Sequence, residues 1–169
     1  LLIFTVFVYP EFLSPVALDL FGFGIRWYSI SYILGFIYFY LFTRQNLSYF
    51  QLNKKQLEDL FFYMFLSVII GGRIGYILFY NINFYIEQPL DIFKVWEGGM
   101  SFHGALFGVV VTSFIFSKKN SIPLFLISDL LSICAPIGIF FGRISNFINQ
   151  ELIGRQTDFI ISIRYPGEE

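Results

Sequence analysis

Cysteine is nearly missing from this chain. Cys134 is the only one among 169 residues, which excludes an internal disulfide and any metal site built on several thiolates. It lies deep in an apolar run, where a neutral thiol behaves as a small hydrophobe. Charge is the second shortage: Asp, Glu, Lys and Arg make up only 14% of the chain, against about 25% in soluble domains. So little polar surface cannot cover a water-facing globule. The 11 Lys and Arg are scattered, with no basic stripe and no interleaved aromatics, so no nucleic-acid partner is expected. No Walker loop, dinucleotide fingerprint, zinc-ligand cluster or nucleophile elbow occurs. Neither a cofactor nor a metal is expected.

What is abundant is apolar. Hydrophobic residues reach 56% and aromatics 22%, with a mean hydropathy of +0.68. Several apolar runs approach the roughly 20 residues that cross a bilayer core as a helix. The expectation is an all-α, polytopic integral membrane protein with about four spans, near 27–42, 60–79, 100–116 and 122–141. The first span can draw on apolar residues upstream, from Val16 to Ile25. An outer polar segment, 142–169, follows, and 1–169 reads as a single transmembrane domain. Leu1 stands where a Met would open a gene product, and the tail from Tyr165 to Glu169 is polar. Both ends read as cuts in a longer chain. The opening run Leu1 to Val8 is too short to span and lacks the flanks of a signal peptide.

Loop charge sets the orientation. Arg44, Lys54 and Lys55 follow the first span, and Lys118 and Lys119 follow the third, whereas the loop after the second pairs Lys94 with Glu87, Asp91 and Glu97. Short loops rich in Lys and Arg favour the cytoplasm. The N-terminus, the 80–99 loop and everything past Gly142 then lie outside. Arg26, Tyr28, Arg73, Tyr76, His103 and Arg143 would accordingly gather towards one membrane face.

Three GxxxG pairs, Gly71/Gly75, Gly104/Gly108 and Gly138/Gly142, mark helix faces flat enough for close approach. The densest polar stretch runs from Gly142 to Arg155. As a continuous helix it would align Arg143, Asn146, Gln150 and Glu151 on one face. An arginine at headgroup depth suits a phosphodiester, because its planar fork matches two oxygens. A solvated interfacial face with a snorkelling arginine is the competing reading. His103, the only histidine, carries the one side chain whose ordinary pKa lies near neutrality. A structural histidine is the alternative. Arg73 is read either as half of an ion pair with a carboxylate or as a substrate contact, and Asp129 as a buried packing hydrogen bond. Arg26-Trp27-Tyr28 reads as an interfacial belt first and a functional tyrosine second.

These segments together resemble the bacterial prolipoprotein diacylglyceryl transferase family. The signature GRxGNFxNxE is met by Gly142-Arg143-Ile144-Ser145-Asn146-Phe147-Ile148-Asn149-Gln150-Glu151, followed by Leu152-Ile153-Gly154-Arg155. The glycine/histidine motif is met by Gly98-Gly99-Met100-Ser101-Phe102-His103-Gly104. Gly71-Gly72-Arg73-Ile74-Gly75-Tyr76, Trp27-Tyr28 and Pro10-Glu11-Phe12 also fit. Ser145 and Ala105 stand where the family commonly has glycine. The family continues beyond residue 169 with a periplasmic head, further spans and a later arginine, so this chain corresponds to its N-terminal portion.

The resemblance implies transfer of the diacylglyceryl group from phosphatidylglycerol to the lipobox cysteine of a preprolipoprotein, with glycerol phosphate leaving. It implies a multi-pass enzyme of the bacterial inner membrane, its N-terminus and active face towards the periplasm. It implies His103, Arg143 and Glu151 as catalytic residues. Substrate contacts would come from Arg143, Asn146, Tyr28, Arg73, Gly99, Gly104 and Gly154. Two rivals are a transporter or channel subunit lined by Arg73, Asp129 and Arg143, and a non-catalytic assembly protein. No internal repeat supports the first, and charge gathers at one face instead of the midplane.

Overall fold

The computed structural model describes residues 7–10, 12–20, 23–157 and 162–165. Glu11 of the early motif, residues 1–6 of the opening run, and 158–161 and 166–169 of the outer segment lie outside the described residues. Helices dominate. In chain order they are α1 (Trp27–Gln45), α2 (Lys54–Tyr80), the short α3 (Ile82–Glu87), α4 (Phe102–Asn120) and α5 (Leu124–Ile148). Two short 3-10 turns, Pro89–Phe93 and Val95–Glu97, link α3 to α4.

All four expected apolar segments are helical, but each helix ends later than expected, and α4 and α5 also start two residues later. Asn53 starts α2 well before Leu60. Its side chain accepts from the Gln56 backbone N–H, while the Gln56 side chain accepts from the Asn53 N–H. This reciprocal cap draws Lys54 and Lys55 out of the expected loop and into the first turn. Lys118 and Lys119 extend α4, where their charge opposes the partial negative charge of the helix end. α5 runs past Gly142 and carries Arg143 and Asn146 on its last turns. Of these helices, α2 and α5 are long and apolar enough to cross a membrane.

The all-α expectation needs correcting at two short strand pairs. Residues 16–26 do not extend the first helix upstream. They form an antiparallel pair, β2 (Val16–Leu20) with β3 (Phe23–Arg26), with an irregularity between Val16 and Leu18. Gly24 disfavours helix by about 1 kcal/mol, and the alternation through Val16, Leu18 and Leu20 has the strand period. A second, parallel pair joins β1 (Phe7–Val8) to β4 (Ile163–Arg164).

The chain divides into two compact units, one of Leu1–Gly35 with Pro136–Glu169, the other of Phe36–Ala135. In the first unit, Gly35 of α1 meets the backbone of Gly138 on α5; a Cβ on Gly35 would lie 3.1 Å from Gly138 Cα. One step along the same contact, the Ser31 and Ser145 hydroxyls share a hydrogen bond of 2.7 Å. A Cβ on Gly142 would meet nothing within 4 Å, so the third glycine pair gives a close approach only at Gly138. Tyr9 is buried against Phe147 and Tyr165, and its hydroxyl donates to the Ile148 carbonyl at 2.6 Å, satisfying an open acceptor at the end of α5.

The second unit is built on α2 and α4, which pack antiparallel through both remaining glycine pairs. A Cβ on Gly71 would lie 2.5 Å from the Gly104 carbonyl oxygen, one on Gly75 2.7 Å from Gly104 Cα, and one on Gly108 2.6 Å from the Ser67 carbonyl oxygen. The backbones are therefore in direct contact. Gly75→Ala is expected to force the helices apart and cost about 1–3 kcal/mol, read as a lowered Tm in detergent; an unchanged Tm would mean the helices do not touch there. The core of this unit gathers Phe39, Phe50, Leu60, Met64, Phe116, Ile127, Leu130 and Cys134. Asp129 falls on the other side of α5 from Ile127, Leu130 and Cys134. It is exposed and, among the described residues, takes no hydrogen bond, which corrects the expected buried packing role.

Candidate functional site

In the first unit, α5 ends at Ile148 and so cannot present Gln150 and Glu151 as a continued helical face. The Gln150 N–H donates to the Phe147 carbonyl and the Glu151 N–H to the Asn146 carbonyl, with Gln150 in the left-handed region at φ 57°. This is a Schellman cap, whose two bonds close the helix end and reverse the chain. Gln150 leaves the expected face. Glu151 is folded back over Asn146.

That reversal assembles a polar network. Tyr28, the second residue of α1, donates its hydroxyl to Glu151 Oε2 at 2.5 Å and accepts from the Asn146 side-chain amide. The same amide lies 3.3 Å from Glu151 Oε2, and Asn149 Nδ2 reaches Glu151 Oε1 at 3.5 Å. Arg143, one turn back on α5, donates from Nη1 to Asn146 Oδ1 at 3.3 Å. A guanidinium has five N–H donors, so four of those on Arg143 remain open among the described residues, and its side chain is exposed. Glu151 is also exposed. The network thus offers a cation, a carboxylate and an amide on one open surface. Gly154 follows in open space with φ 96°.

Two contributors escaped sequence reasoning. Asn149 stands inside the signature and touches the carboxylate; only the cap reveals this. Ser145, standing where the family commonly has glycine, supplies the buried hydroxyl that ties α5 to Ser31. A serine facing a serine at matching depths on two apolar helices was the available signal.

Arg73 behaves differently. In the second unit it is only 5% exposed, and all five of its donors are taken by backbone carbonyls. Nε donates to Ile92 at 3.0 Å, Nη1 to Gly98 and Gly99 at 2.5 and 3.2 Å, and Nη2 to Asp91 and Lys94 at 2.6 and 3.2 Å. Its guanidinium also lies 5.1 Å from the centre of the Tyr85 ring. The expected carboxylate pairing is not what occurs. The reason is local: the 3-10 turns after α3 leave carbonyls that no helix satisfies, and a planar fork can serve several at once. With no donor open, Arg73 organises the loop and holds nothing in reserve for a phosphate.

Gly99 belongs to the same arrangement. Its φ of 78° suits glycine, and a Cβ there would press on Tyr76 and on Arg73 Nη1 at 2.7 and 2.9 Å. The recess beside it, lined by Arg73, Tyr76, Tyr85 and Asp91, has a volume of about 130 Å³. Small-molecule sites start at about 300 Å³, so it is too small for a lipid headgroup with its glycerol. Ser101 then caps α4, accepting from the Gly104 N–H at 3.2 Å, while its own N–H donates to the Gly72 carbonyl at 2.9 Å. Gly104, a substrate contact by the family resemblance, is engaged in helix packing against Gly71 and Gly75. His103, the second residue of α4, is exposed, its ring edge-on to Phe102 at 5.7 Å. Among the described residues no three His, Cys, Asp or Glu side chains are placed to hold a metal ion.

The chain as a whole has known relatives. The family described as prolipoprotein diacylglyceryl transferase matches over residues 15–168. A phosphatidylglycerol–prolipoprotein diacylglyceryl transferase of Ehrlichia canis is 50% identical over 143 residues, covering 85% of this chain and 55% of the relative. Proteins of the same name from Hydrogenovibrio crunogenus and Bordetella avium are 42% and 44% identical, each over 94% of this chain and over 60% and 61% of their own lengths. The chain therefore spans a little over half the length of the curated relatives it matches. With a family match across nearly its whole length, the chain belongs to the prolipoprotein diacylglyceryl transferase family.

Proposed function

We propose that this protein transfers the diacylglyceryl group of phosphatidylglycerol to the thiol of the lipobox cysteine in a preprolipoprotein signal peptide, the first step of bacterial lipoprotein maturation. The observation that carries the reading is the open Arg143 fork beside the Tyr28–Asn146–Glu151 network. The acceptor thiol loses its proton, the thiolate sulfur bonds to the glyceryl carbon, and the carbon–oxygen bond to phosphate breaks. Glycerol phosphate leaves. The thiolate is the competent nucleophile, and the departing phosphate gathers negative charge that a preorganised cation can stabilise.

In this scheme Arg143 binds the lipid phosphate. Asn146 and Glu151, held by Tyr28, meet the glycerol hydroxyls, and Gly154 lets the chain pass close to the headgroup. His103 takes the thiol proton or orients the headgroup, which its exposed place at the start of α4 favours. Arg73, Gly99 and Gly104 contribute by shaping the loop that leads into His103. All four long helices cross the bacterial inner membrane in this proposal. The Lys54/Lys55 and Lys118/Lys119 ends face the cytoplasm, and the N-terminus, Arg143 and His103 face the periplasm.

The test supplies phosphatidylglycerol vesicles and a lipobox peptide and follows the gain of one diacylglyceryl mass on the cysteine. No gain would overturn the assignment. Tyr28→Phe removes the hydrogen bond that holds Glu151 and is expected to lower the rate about 10- to 100-fold, the worth of a bond to a charged group. A Tyr28→Phe protein of full rate would take Glu151 and Tyr28 out of the site.

A further inference from the structure

The segment between α2 and α4 is two-sided in an unusual way. On its inner side the carbonyls of Asp91, Ile92, Lys94, Gly98 and Gly99 all point into the Arg73 guanidinium. On its outer side stand Ile86, Leu90, Phe93 and Trp96, spaced four, three and three residues apart, followed by Phe102. Each of these five is between 66% and 78% exposed. Of the local charges, Asp91 and Lys94 neutralise each other at 2.7 Å, which leaves the carboxylates of Glu87 and Glu97.

We propose that residues 82–97 form a membrane-seated strap, with Leu90, Phe93 and Trp96 inserted at the boundary between headgroups and acyl chains. Lipid is the occupant for three reasons. The strap begins directly after Tyr80, the end of a helix long and apolar enough to span a bilayer, so it starts at interface depth. Its exposed residues mix tryptophan and phenylalanine with aliphatics, the composition of an interfacial belt. After α3 its backbone leaves the α-helix for two 3-10 turns, and backbone outside an α-helix is tolerated near hydrocarbon only when its polar groups are satisfied within the protein. The Arg73 fork does this for three carbonyls of the strap, Asp91, Ile92 and Lys94, and for Gly98 and Gly99 just beyond it. The strap rests on the reading of α2 as a membrane span.

Bromolipid quenching separates the two. The chain carries only Trp27 and Trp96, so the emission lost on Trp96→Phe isolates Trp96 in vesicles. Lipids brominated near the headgroup end of the acyl chain are expected to remove about half of that emission, as befits a residue buried about 5–10 Å into the boundary. Lipids brominated near the chain terminus should remove little. A Phe65→Trp reporter in the middle of α2 should show the opposite preference. If that reporter is quenched and Trp96 is untouched, the strap faces water or a protein partner, and the proposal is overturned while the span stands. If neither is quenched, α2 does not span, and the strap falls with it.

Discussion

Arg143→Ala is expected to lower diacylglyceryl transfer about 100- to 1,000-fold, the loss seen when one preorganised donor is taken from a developing anion, while leaving stability within about 0.5 kcal/mol. The two halves of this expectation come from one observation. Arg143 is exposed and gives a single bond, to Asn146 on its own helix, so the fold does not depend on it. The charge it brings is therefore free for a ligand. Arg143→Lys should recover part of the rate, because an ammonium supplies the charge without the bidentate fork. The measurement is the rate of mass gain on the lipobox peptide alongside thermal unfolding in detergent. An Ala variant within a few-fold of the unchanged rate would remove Arg143 from phosphate binding. A variant that loses activity together with its fold would show that the arginine is structural.

The reverse pattern is expected for Arg73. Arg73→Met takes the guanidinium donor from five partly buried carbonyls, of which Asp91 keeps the Lys94 N–H at 3.1 Å. Leaving such groups unpaired costs about 1–3 kcal/mol each where water cannot reach them. Not all five will stay dry once the side chain is gone, so a total loss of about 3 kcal/mol is the expected scale. It should appear as a lowered Tm and as faster proteolysis between Pro89 and Gly99. Arg73→Lys should fall between, with three donors in place of five. Any loss of transfer activity should then follow loss of the folded loop, in contrast to Arg143→Ala. Unchanged stability in Arg73→Met would mean that the 91–99 loop does not depend on the guanidinium.

Much of the architecture was legible because it is local. Helix content follows from apolar runs whose length and composition any neighbouring residues leave intact. The pairing of Gly71/Gly75 with Gly104/Gly108 was foreshadowed by spacing alone, since glycines four apart make a flat strip wherever they fall on a helix. Boundaries were harder. The Asn53–Gln56 cap was present as an N-x-x-Q pattern before Leu57 and would have placed the start of α2 correctly. The strand pair at 16–26 was obscured by its apolar composition, which fits the edge of a span as readily as a half-exposed hairpin.

The site was legible in its members and not in its shape. Arg143, Asn146 and Glu151 stand close in sequence, but helical spacing would have put Glu151 eight residues along a face, whereas the Schellman cap turns it back to Asn146. Tyr28 lies 123 residues from Glu151, and no local rule brings them together.

The sequence by itself determined the membrane-like composition, the helices, two of the glycine contacts and the family. What only the tertiary structure decided is which arginine is free. Arg73 and Arg143 look alike in sequence, each directly following a glycine and each towards the C-terminal end of an apolar helix. Arg73 meets carbonyls 18 to 26 residues further along the chain, which spend every donor it has. Arg143 meets only a side chain three residues away. A guanidinium has a fixed number of donors, and whether they are occupied depends on where distant backbone comes to rest, which no local pattern encodes.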